Sequence, residues 1–386
     1  MYNGQTPSRN KSEYWNGNIK WLSSGELNRG TVYDSIEMIT EDGQKSANLR
    51  IVPKGTFIMA ITGLEAAGTR GNCALLGFDT TLNQSCMALF PKKDLLTSDF
   101  LFQWYRKVGE EYGLNYTQGT KQQSYNAELI KILPISLPLV TEQKKIASYL
   151  SNLDHLITLH QRKLEKLQLV KKSMLEKMFP KNGSKIPEIR FEGFADDWEQ
   201  RKLNDVAKFS KGNGYSKGDL IEAGTPIILY GRLYTKYETT ISDVDTFVVA
   251  KDGSVYSKGG EVIVPASGET AEDIARAATV DKPGILLGGD LNVVMPNEEI
   301  NSAFLAISIS NGSSQRELAK KAQGKSVVHI HNEEIRNLVV PFPTKAEQNK
   351  IVDYFANLDS LITLHQRKLE KMKSFKKSLL EKLFVQ

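Results

Sequence analysis

The chain is poor in cysteine and contains no long apolar run. Only Cys73 and Cys86 occur among its 386 residues. So few cysteines exclude a disulfide framework, and we expect both to be buried small side chains in a reducing compartment. No run of 18 apolar residues could form a membrane span, and the N-terminus lacks the pattern of a signal peptide. These absences predict a cytoplasmic protein without a membrane segment.

Recognisable catalytic motifs are also lacking. AKKAQGKS at 319–326 has Ala319 where a phosphate-binding loop needs its first glycine, and it follows a helical pattern. HIHNEE at 329–334 has no further Cys or His cluster to complete a metal site. Nuclease-like paired carboxylates with a lysine, and the Asn-Pro-Pro-aromatic tetrapeptide of amino-methyltransferases, do not occur. We therefore predict a non-catalytic chain that binds no metal or cofactor of its own.

The chain does contain a long internal repeat. LITLHQRKLEK occurs at 156–166 and again at 361–371. A shift of 205 residues aligns 142–179 with 347–384, and 26 of these 38 positions are identical. The same shift continues more faintly upstream, where Gln118-Gly119 aligns with Gln323-Gly324. Two similar halves indicate an internal duplication, which suits binding to a target with two similar ends.

Each repeated segment predicts one long helix with an apolar seam. Neither segment contains Pro or Gly, and Leu, Lys, Glu and Gln dominate both. Apolar residues recur at steps of three and four, with one histidine in each seam. Because either stripe would be exposed alone, we expect the two helices to pack on each other. The predicted seam residues are Ile146, Leu150, Leu153, Ile157, His160, Leu164, Leu167, Ile351, Phe355, Leu358, Ile362, His365, Leu369 and Met372.

The segments before the helices predict two α+β domains. GTFIMAITG, LNQSCMALFP, GEVIVPASG and LLGGDLNVVMP are short strand-like runs bounded by Gly, Asn and Pro. LTSDFLFQWYRKVGEEYGL and NSAFLAISISNGSSQRELAKKA have helical patterns. We predict a first domain at 1–141, its helix at 142–180, a linker and second domain at 181–346, and a second helix at 347–386.

The positive charge is concentrated in the repeated helices. The chain has a net charge of +5, whereas residues 142–179 carry +4 and residues 347–384 carry +3. The remaining residues are therefore near −2, so the domains lack a large field for neutralising phosphates. Alternatively, the lysines of the helices only form a solvent-exposed outer face and have no binding role.

Several motifs, which occur in the same order in both halves of the chain, resemble those of the specificity subunit of a type I restriction-modification system. The carrying motifs are GQTPSRNKSEYWNGNIKWLSSGEL, GTFIMAITG with TTLNQSCMALFP, QGTKQQSYNAELIKILPISLPLVTEQKKIASYLSNLD and QGKSVVHIHNEEIRNLVVPFPTKAEQNKIVDYFANLD. The resemblance covers essentially the whole chain. It implies two target-recognition domains separated by two conserved helices that form an antiparallel coiled coil.

The resemblance also implies a function and partners. Each domain would read one half of a split double-stranded DNA target through base edges in the major groove. The helices, each about 57 Å long, would act as a ruler and dock two modification subunits that methylate adenine with S-adenosylmethionine. Restriction subunits that use ATP and Mg²⁺ would join them. The alternatives are a coiled-coil adaptor that binds only protein, and a self-sufficient methyltransferase or nuclease.

One departure from the family pattern concerns the first domain. IRFEGFADDWEQRKLNDVAKFSKG precedes the second domain and resembles the usual lead-in of each recognition domain. The sequence begins MYNGQTPS, about where the first lead-in would end. Either the true start lies upstream, or the allele is shortened or recombined.

Two sets of residues are candidates for specific roles. With antiparallel helices in full overlap, His160 and His365 would meet near the centre of the seam and fix its register. Loop residues beside the glycine turns are candidates for DNA contact, although each could be an ordinary solvated side chain. These candidates are Arg70, Lys121, Gln122, Gln123, Tyr125, Tyr230, Arg232, Lys325, His329 and His331.

Overall fold

Two compact units make up the chain. The structure, a computed structural model, describes residues 1–64, 68–117, 123–181, 184–324 and 327–384. The first unit comprises Met1–Arg162 with Gln366–Gln386, and the second comprises Lys163–His365. The boundary between them therefore falls inside both repeated helices.

The first unit combines two small sheets with helices. Its strands are β1 Tyr2–Asn3, β2 Trp15–Leu22, β3 Thr31–Val32, β4 Glu37–Ile39, β5 Phe57–Ala60, β6 Cys73–Leu76, β7 Thr81–Leu82 and β8 Cys86–Leu89. Its helices are α1 Glu41–Ser46, α2 Ser98–Asn115, α3 Ala127–Lys131 and the first part of α4 Val140–Lys177. The main sheet has the strand order β1-β8-β5-β6-β3, and the second sheet has the order β4-β2-β7.

One apolar core joins the main sheet of the first unit to α2 and to the helical repeat. Phe57, Phe100 and Tyr105 lie at its centre with about 0–1 % exposure, and Leu150 packs into the same cluster. Cys73 and Cys86 are free thiols buried in this core, as the composition predicts. Burial raises the pKa of Cys73 to about 12, so this thiol is protonated near neutral pH.

The second unit has more strands and a second helical repeat. Its strands are β9 Glu199–Lys202, β10 Ala207–Lys211, β11 Thr225–Ile228, β12 Thr240–Ile241, β13 Phe247–Val248, β14 Tyr256–Lys258, β15 Glu261–Pro265, β16 Ser267–Gly268, β17 Ala278–Val280, β18 Pro283–Leu287, β19 Leu291–Pro296, β20 Val328–His329 and β21 Val339–Phe342. Its helices are α5 Leu203–Val206, α6 Arg232–Thr235, α7 Ala271–Ile274, α8 Ser302–Ile309, α9 Gly312–Lys320, α10 Asn332–Arg336 and α11 Lys345–Leu383, whose last part belongs to the first unit.

The two units repeat one topology. The main sheet of the second unit has the order β10-β19-β15-β17-β12, which matches β1-β8-β5-β6-β3 strand for strand. The second unit also contains a sheet of order β13-β11-β18-β14 and the pairs β16-β20 and β21-β9. The prediction of α+β domains that alternate with long helices is confirmed.

One predicted helical stretch is divided in two. The pattern from 301 to 322 forms α8 and α9, separated at Ser310 and Asn311. Gly312 follows the break with φ +67°, a left-handed conformation that a continuous α-helix does not contain. The long helices α4 and α11 begin two residues before the predicted bounds and end three residues before them.

Candidate nucleic-acid interface

A buried glutamine joins the long helix to the globular part of each unit. In the first unit, Gln143 is fully buried near the start of α4. Its side-chain oxygen accepts a hydrogen bond from the backbone N–H of Thr97 (3.0 Å), the N-cap residue of α2. Its amide nitrogen donates to the carbonyls of Leu95 (2.8 Å) and Pro138 (2.9 Å). One side chain thus fixes the start of α2 to the start of α4.

The second unit repeats this joint. Gln348 is 1 % exposed, and its oxygen accepts from the N–H of Asn301 (2.8 Å), the N-cap residue of α8. Its nitrogen donates to the carbonyls of Glu299 (3.3 Å) and Pro343 (2.9 Å). Both glutamines belong to the identical Glu-Gln dipeptides that open the repeat. The repeat was visible in the sequence, but this structural role of the glutamine was not predicted.

Aromatic and hydroxyl side chains form a connected surface in the second unit. His329 and His331 are exposed, with parallel rings whose centroids are 6.4 Å apart. The Nδ1 atom of His329 lies 3.2 Å from Oγ of Ser267, its partner in the β16–β20 pair. The Tyr234 hydroxyl donates to the Ser267 carbonyl (2.7 Å), and its ring meets that of Tyr230 at 6.1 Å. We call Tyr230, Tyr234, Ser267, His329 and His331 the Tyr–His surface.

The Tyr–His surface contains three predicted residues and two that the sequence did not single out. Tyr234 and Ser267 link the predicted Tyr230, His329 and His331. Burial raises the pKa of the Tyr234 hydroxyl, which therefore remains a hydrogen-bond donor. Tyrosine and histidine rings can stack on bases, and their polar atoms can read base edges.

The first unit has the same backbone arrangement with different side chains. Thr62 and Ser124 form an antiparallel bridge, and the shift of 205 residues aligns them with Ser267 and His329. The N–H of Tyr125 donates to the carbonyl of Ile61 (2.8 Å), as that of the equivalent Ile330 donates to Ala266 (3.1 Å). The duplicated scaffold therefore presents a different set of side chains in each unit.

Two predicted DNA-contacting residues lie in positions that do not suit direct contact. Tyr125 is 3 % exposed and packs in the first core, where burial raises its pKa to about 12. Arg232 is 9 % exposed. Its guanidinium donates to Asp245 (2.7 Å), Glu238 (2.8 Å) and the Asp243 carbonyl (3.1 Å). Both placements correct the expectation of an exposed side chain, because packing and internal ion pairing occupy these residues.

The other candidates divide into surface positions and positions without a described structure. Arg70 is half-buried, with its side-chain stem against Gly113 of α2. Gln123 is half-buried, and its carbonyl accepts from the N–H of Leu64 (3.2 Å). Lys121, Gln122 and Lys325 lie outside the described residues.

Every predicted seam residue of α4 and α11 is at least partly buried. Leu150, Leu153 and Leu167 are buried on α4, and Ile351, Phe355, Leu358 and Leu369 on α11. The half-buried positions are Ile146, Ile157, His160, Leu164, Ile362, His365 and Met372. This burial pattern supports the predicted seam.

Ion pairs set an antiparallel register within each unit. In the first unit, Asp154 of α4 pairs with Lys376 of α11 and with Arg106 of α2. In the second unit, Lys171 of α4 pairs with Asp359 of α11. The shift of 205 residues converts each ion pair into the other, so the two pairs are repeat equivalents.

This register places the seam histidines level with leucines and glutamates. In antiparallel helices, residues at one level are found by counting forwards along one helix and backwards along the other. Six residues after Asp154 is His160, and six residues before its partner Lys376 is Glu370, which is next to the seam residue Leu369. The same count in the second unit makes His365 level with Glu165, beside Leu164. Each histidine therefore has a leucine of the seam at its level in its own unit, and the predicted meeting of the two histidines stays a prediction.

The described residues hold no arrangement that suggests catalysis by a metal. No group of three or more His, Cys, Asp or Glu side chains in the described ranges could bind a metal ion.

No helix in the described part of the chain is long and apolar enough to cross a membrane.

Comparison with known proteins agrees with these features. The family model "Type I restriction modification DNA specificity domain" matches residues 2–169 and 195–374, one match for each repeat. The chain belongs to this family of specificity subunits. Members of the family have no catalytic role, and accordingly this specificity chain is not an enzyme.

Individual relatives cover nearly the whole chain. The specificity subunit of the type I restriction enzyme MjaVIII from Methanocaldococcus jannaschii is 24 % identical and covers 99 % of this chain and 89 % of its own length. The MjaIX specificity subunit of the same organism is 25 % identical, with coverages of 98 % and 89 %. The crystal structure of the type I S subunit from M. genitalium has a TM-score of 0.63 at 15 % identity, covering 100 % of this chain and 93 % of that one. The specificity chain shares the fold of this S subunit.

Proposed function

We propose that each unit of the specificity chain reads one half of a bipartite double-stranded DNA target. The observation that carries this proposal is the repeated strand pair, Thr62–Ser124 in one unit and Ser267–His329 in the other. A duplicated scaffold can read two different half-sites only if the same backbone geometry carries a different set of side chains in each unit. The Tyr–His surface supplies aromatic rings, hydroxyls and imidazole nitrogens for the second half-site.

The charge distribution supports weak DNA binding by the isolated chain. Phosphate contacts supply most non-specific affinity, and the residues outside the repeated helices carry about −2 net charge. We therefore expect the partner subunits to supply much of the clamp on the DNA backbone. Nanomolar binding of duplex DNA by the purified chain alone, at physiological salt, would contradict this expectation.

The exposed faces of the helices support docking of two copies of one modification subunit. Leu156 and Leu159 of α4 are each 47 % exposed, and their repeat equivalents Leu361 and Leu364 of α11 are 44 % and 46 % exposed. These positions are identical in the two repeats, although no core of either helix keeps them there. An exposed apolar pair that recurs identically on both helices suits a common partner.

The catalytic cofactors then belong to the partners. The family supplies DNA specificity without catalysis, so we assign S-adenosylmethionine to two modification subunits and ATP with Mg²⁺ to restriction subunits. Replacing Leu156 and Leu159 with serine should remove one modification subunit from the complex, as measured by native mass spectrometry. Leu169→Ser is the matched control, because Leu169 is 68 % exposed but aligns with Ser374.

Methylation mapping tests DNA reading directly. The chain is co-expressed with its modification subunits in a host without other adenine methylation, and methylated adenines are mapped by single-molecule sequencing. We expect one split motif that disappears when the chain is omitted. The absence of methylation from an assembled complex, or methylation without a shared motif, would refute the proposal.

A further inference from the structure

Each unit carries a Gly-X-Leu triplet after an equivalent strand. The triplets Gly25–Leu27 and Gly231–Leu233 begin three residues after the ends of β2 and β11. These strands are equivalent because each pairs antiparallel with one neighbour, β4 or β13, and parallel with another, β7 or β18. Leu27 and Leu233 are 3 % and 1 % exposed and pack into core clusters of their units. The leucine therefore anchors a short turn after the strand in both units, while the middle residue of the triplet has opposite charge.

In the first unit, the middle residue joins this turn to one particular loop. One oxygen of the Glu26 carboxylate accepts hydrogen bonds from the N–H (2.9 Å) and the hydroxyl (2.8 Å) of Ser23. The other oxygen accepts from the backbone N–H of Ile36 (2.8 Å). Ile36 lies in the loop that connects β3 to β4. One carboxylate thus links the turn after β2 to the β3–β4 loop.

The second unit makes the same link with a residue of opposite charge. The guanidinium of Arg232 donates to the carboxylate of Asp245 (2.7 Å) and to the carbonyl of Asp243 (3.1 Å). Both acceptors lie in the loop that connects β12 to β13. This loop is the equivalent of the β3–β4 loop, because β3 and β12 each end a main sheet and β4 and β13 pair with the equivalent strands β2 and β11. The link is therefore kept in both units, although its polarity is reversed.

The linked turn of the second unit carries two side chains of the Tyr–His surface. Tyr230 and Tyr234 lie two residues before and two residues after Arg232. Arg232 is 9 % exposed, and its acceptors in the described chain all lie in the segment that follows α6. Because an apolar side chain of similar volume is often no less stabilising than a buried ion pair, burial alone does not require an arginine here. The charge instead serves the link between the turn and the loop.

We propose that Glu26 and Arg232 are positioning residues for DNA recognition, each within its own unit. Each fixes the turn that carries base-reading side chains and acts through that turn, without touching DNA itself. The opposite charges make each link specific to its own unit. This inference rests on the proposed reading of one half-site by each unit.

The triplets also identify the side chains that Glu26 positions. The shift of 206 residues that aligns the triplets places Ser24 on Tyr230 and Asn28 on Tyr234. Ser24 is half-buried and Asn28 is exposed. Hydroxyl and amide side chains hydrogen-bond to base edges in the major groove, so these two are the counterparts of the tyrosines in the first unit.

Hydrogen exchange tests both links without DNA. Glu26→Gln keeps the size of the side chain but leaves one acceptor oxygen for the donors of Ser23 and Ile36. The Ile36 amide should then exchange at least tenfold faster, while the amides of Leu233–Lys236, which are hydrogen-bonded within and beside α6, keep their protection. Arg232→Met should give the reverse pattern. Unchanged exchange at Ile36 in Glu26→Gln, or at α6 in Arg232→Met, would overturn the assigned link.

Methylation of randomised duplexes, by complexes assembled with the modification subunits, tests the role in recognition. Arg232→Met should lower sequence discrimination at one half-site at least fivefold, and Glu26→Gln should do so at the other. In each variant, discrimination at the remaining half-site should stay within twofold of the wild type. Arg232→Lys should restore part of the loss, because lysine keeps the charge but not the planar set of donors.

Two exposed positions provide matched controls. Glu13→Gln and Arg316→Met make the same kinds of change in the first and second unit, and both should leave discrimination unchanged. A purely structural role would lower the melting temperature and the methylation rate without altering the preference at either half-site, and that result would overturn the proposal. Loss of discrimination at both half-sites from one substitution would also overturn it. Failure of the proposed DNA recognition is distinguishable, because the wild-type complex would then show no split motif at all.

Discussion

The buried glutamine joint makes a quantitative prediction. Gln143→Leu keeps the approximate volume of the side chain but removes three hydrogen bonds, leaving the Thr97 N–H and the Leu95 and Pro138 carbonyls without that partner. Each unsatisfied buried group costs about 1–3 kcal/mol. Because Leu95 is itself 54 % exposed, water can satisfy its carbonyl, and we expect a net local cost of about 3 kcal/mol.

Hydrogen exchange with mass spectrometry measures this cost where it arises. A loss of about 3 kcal/mol corresponds to roughly a hundredfold faster exchange at the Thr97 amide, since each 1.4 kcal/mol is a factor of ten. The duplication supplies an internal reference, because the Asn301 amide bonded to Gln348 should keep its protection in the same molecule. Less than threefold acceleration at Thr97, or equal acceleration at Asn301, would refute the reasoning.

Two further variants separate this joint from general effects of leucine. Gln348→Leu should give the mirror result, with rapid exchange at Asn301 and unchanged exchange at Thr97. Gln168→Leu changes an exposed glutamine of α4 and should affect neither amide. If the joints orient the recognition domains, Gln143→Leu and Gln348→Leu should each relax methylation specificity at a different half-site.

Three other predictions concern the ion pairs, the Tyr–His surface and the seam. Burial, with a smaller contribution from Arg106, lowers the pKa of Lys376 from 10.5 to about 8. Between pH 8 and 10.5 the unfolded chain therefore binds more protons than the folded chain. The unfolding free energy of the wild type, measured by urea titration, should rise with pH relative to that of Lys376→Met by up to about 3 kcal/mol. A difference in unfolding free energy that does not change with pH would contradict the assigned burial. His329→Ala should lower discrimination at one half-site by about 1 kcal/mol in methylation of randomised duplexes, while His155→Ala, exposed on α4, should not. His160→Leu with His365→Leu should raise the stability of the helical pair but loosen its register, and an unchanged methylated motif would count against a role in register.

The repeated architecture was predictable because it depends on patterns that the sequence displays directly. Long helices without Pro or Gly, and short strand-like runs between glycines, each define their own element. The alignment of the two repeats also predicts the burial of Tyr125, because it aligns this residue with Ile330, which lies between His329 and His331. An apolar residue between two polar ones on a strand predicts an inward side chain, as the structure shows for both residues.

Contacts made by charged side chains were less predictable. Arg232 looked like a DNA-facing cation beside a glycine turn. Its partners Glu238, Asp243 and Asp245 are near in sequence, but only the fold brings their oxygens around one guanidinium. A charged residue near local acidic residues can be solvated, paired within the chain or bound to DNA, and composition does not distinguish these states.

The register of the two helices decides which residues lie level with the seam histidines. Full overlap of 142–179 with 347–384 makes His160 nearly level with His365, since residue numbers at one level then total 526. The pairs Asp154–Lys376 and Lys171–Asp359 both total 530, a slide of four residues or about 6 Å. At this register each histidine is level with a leucine of the seam in its own unit, and the predicted meeting of the two histidines stays a prediction. The paired Asp and Lys, which recur identically in both repeats, also determine the register, because a slip of one heptad would separate the buried Lys376 and the half-buried Lys171 from their carboxylates at once.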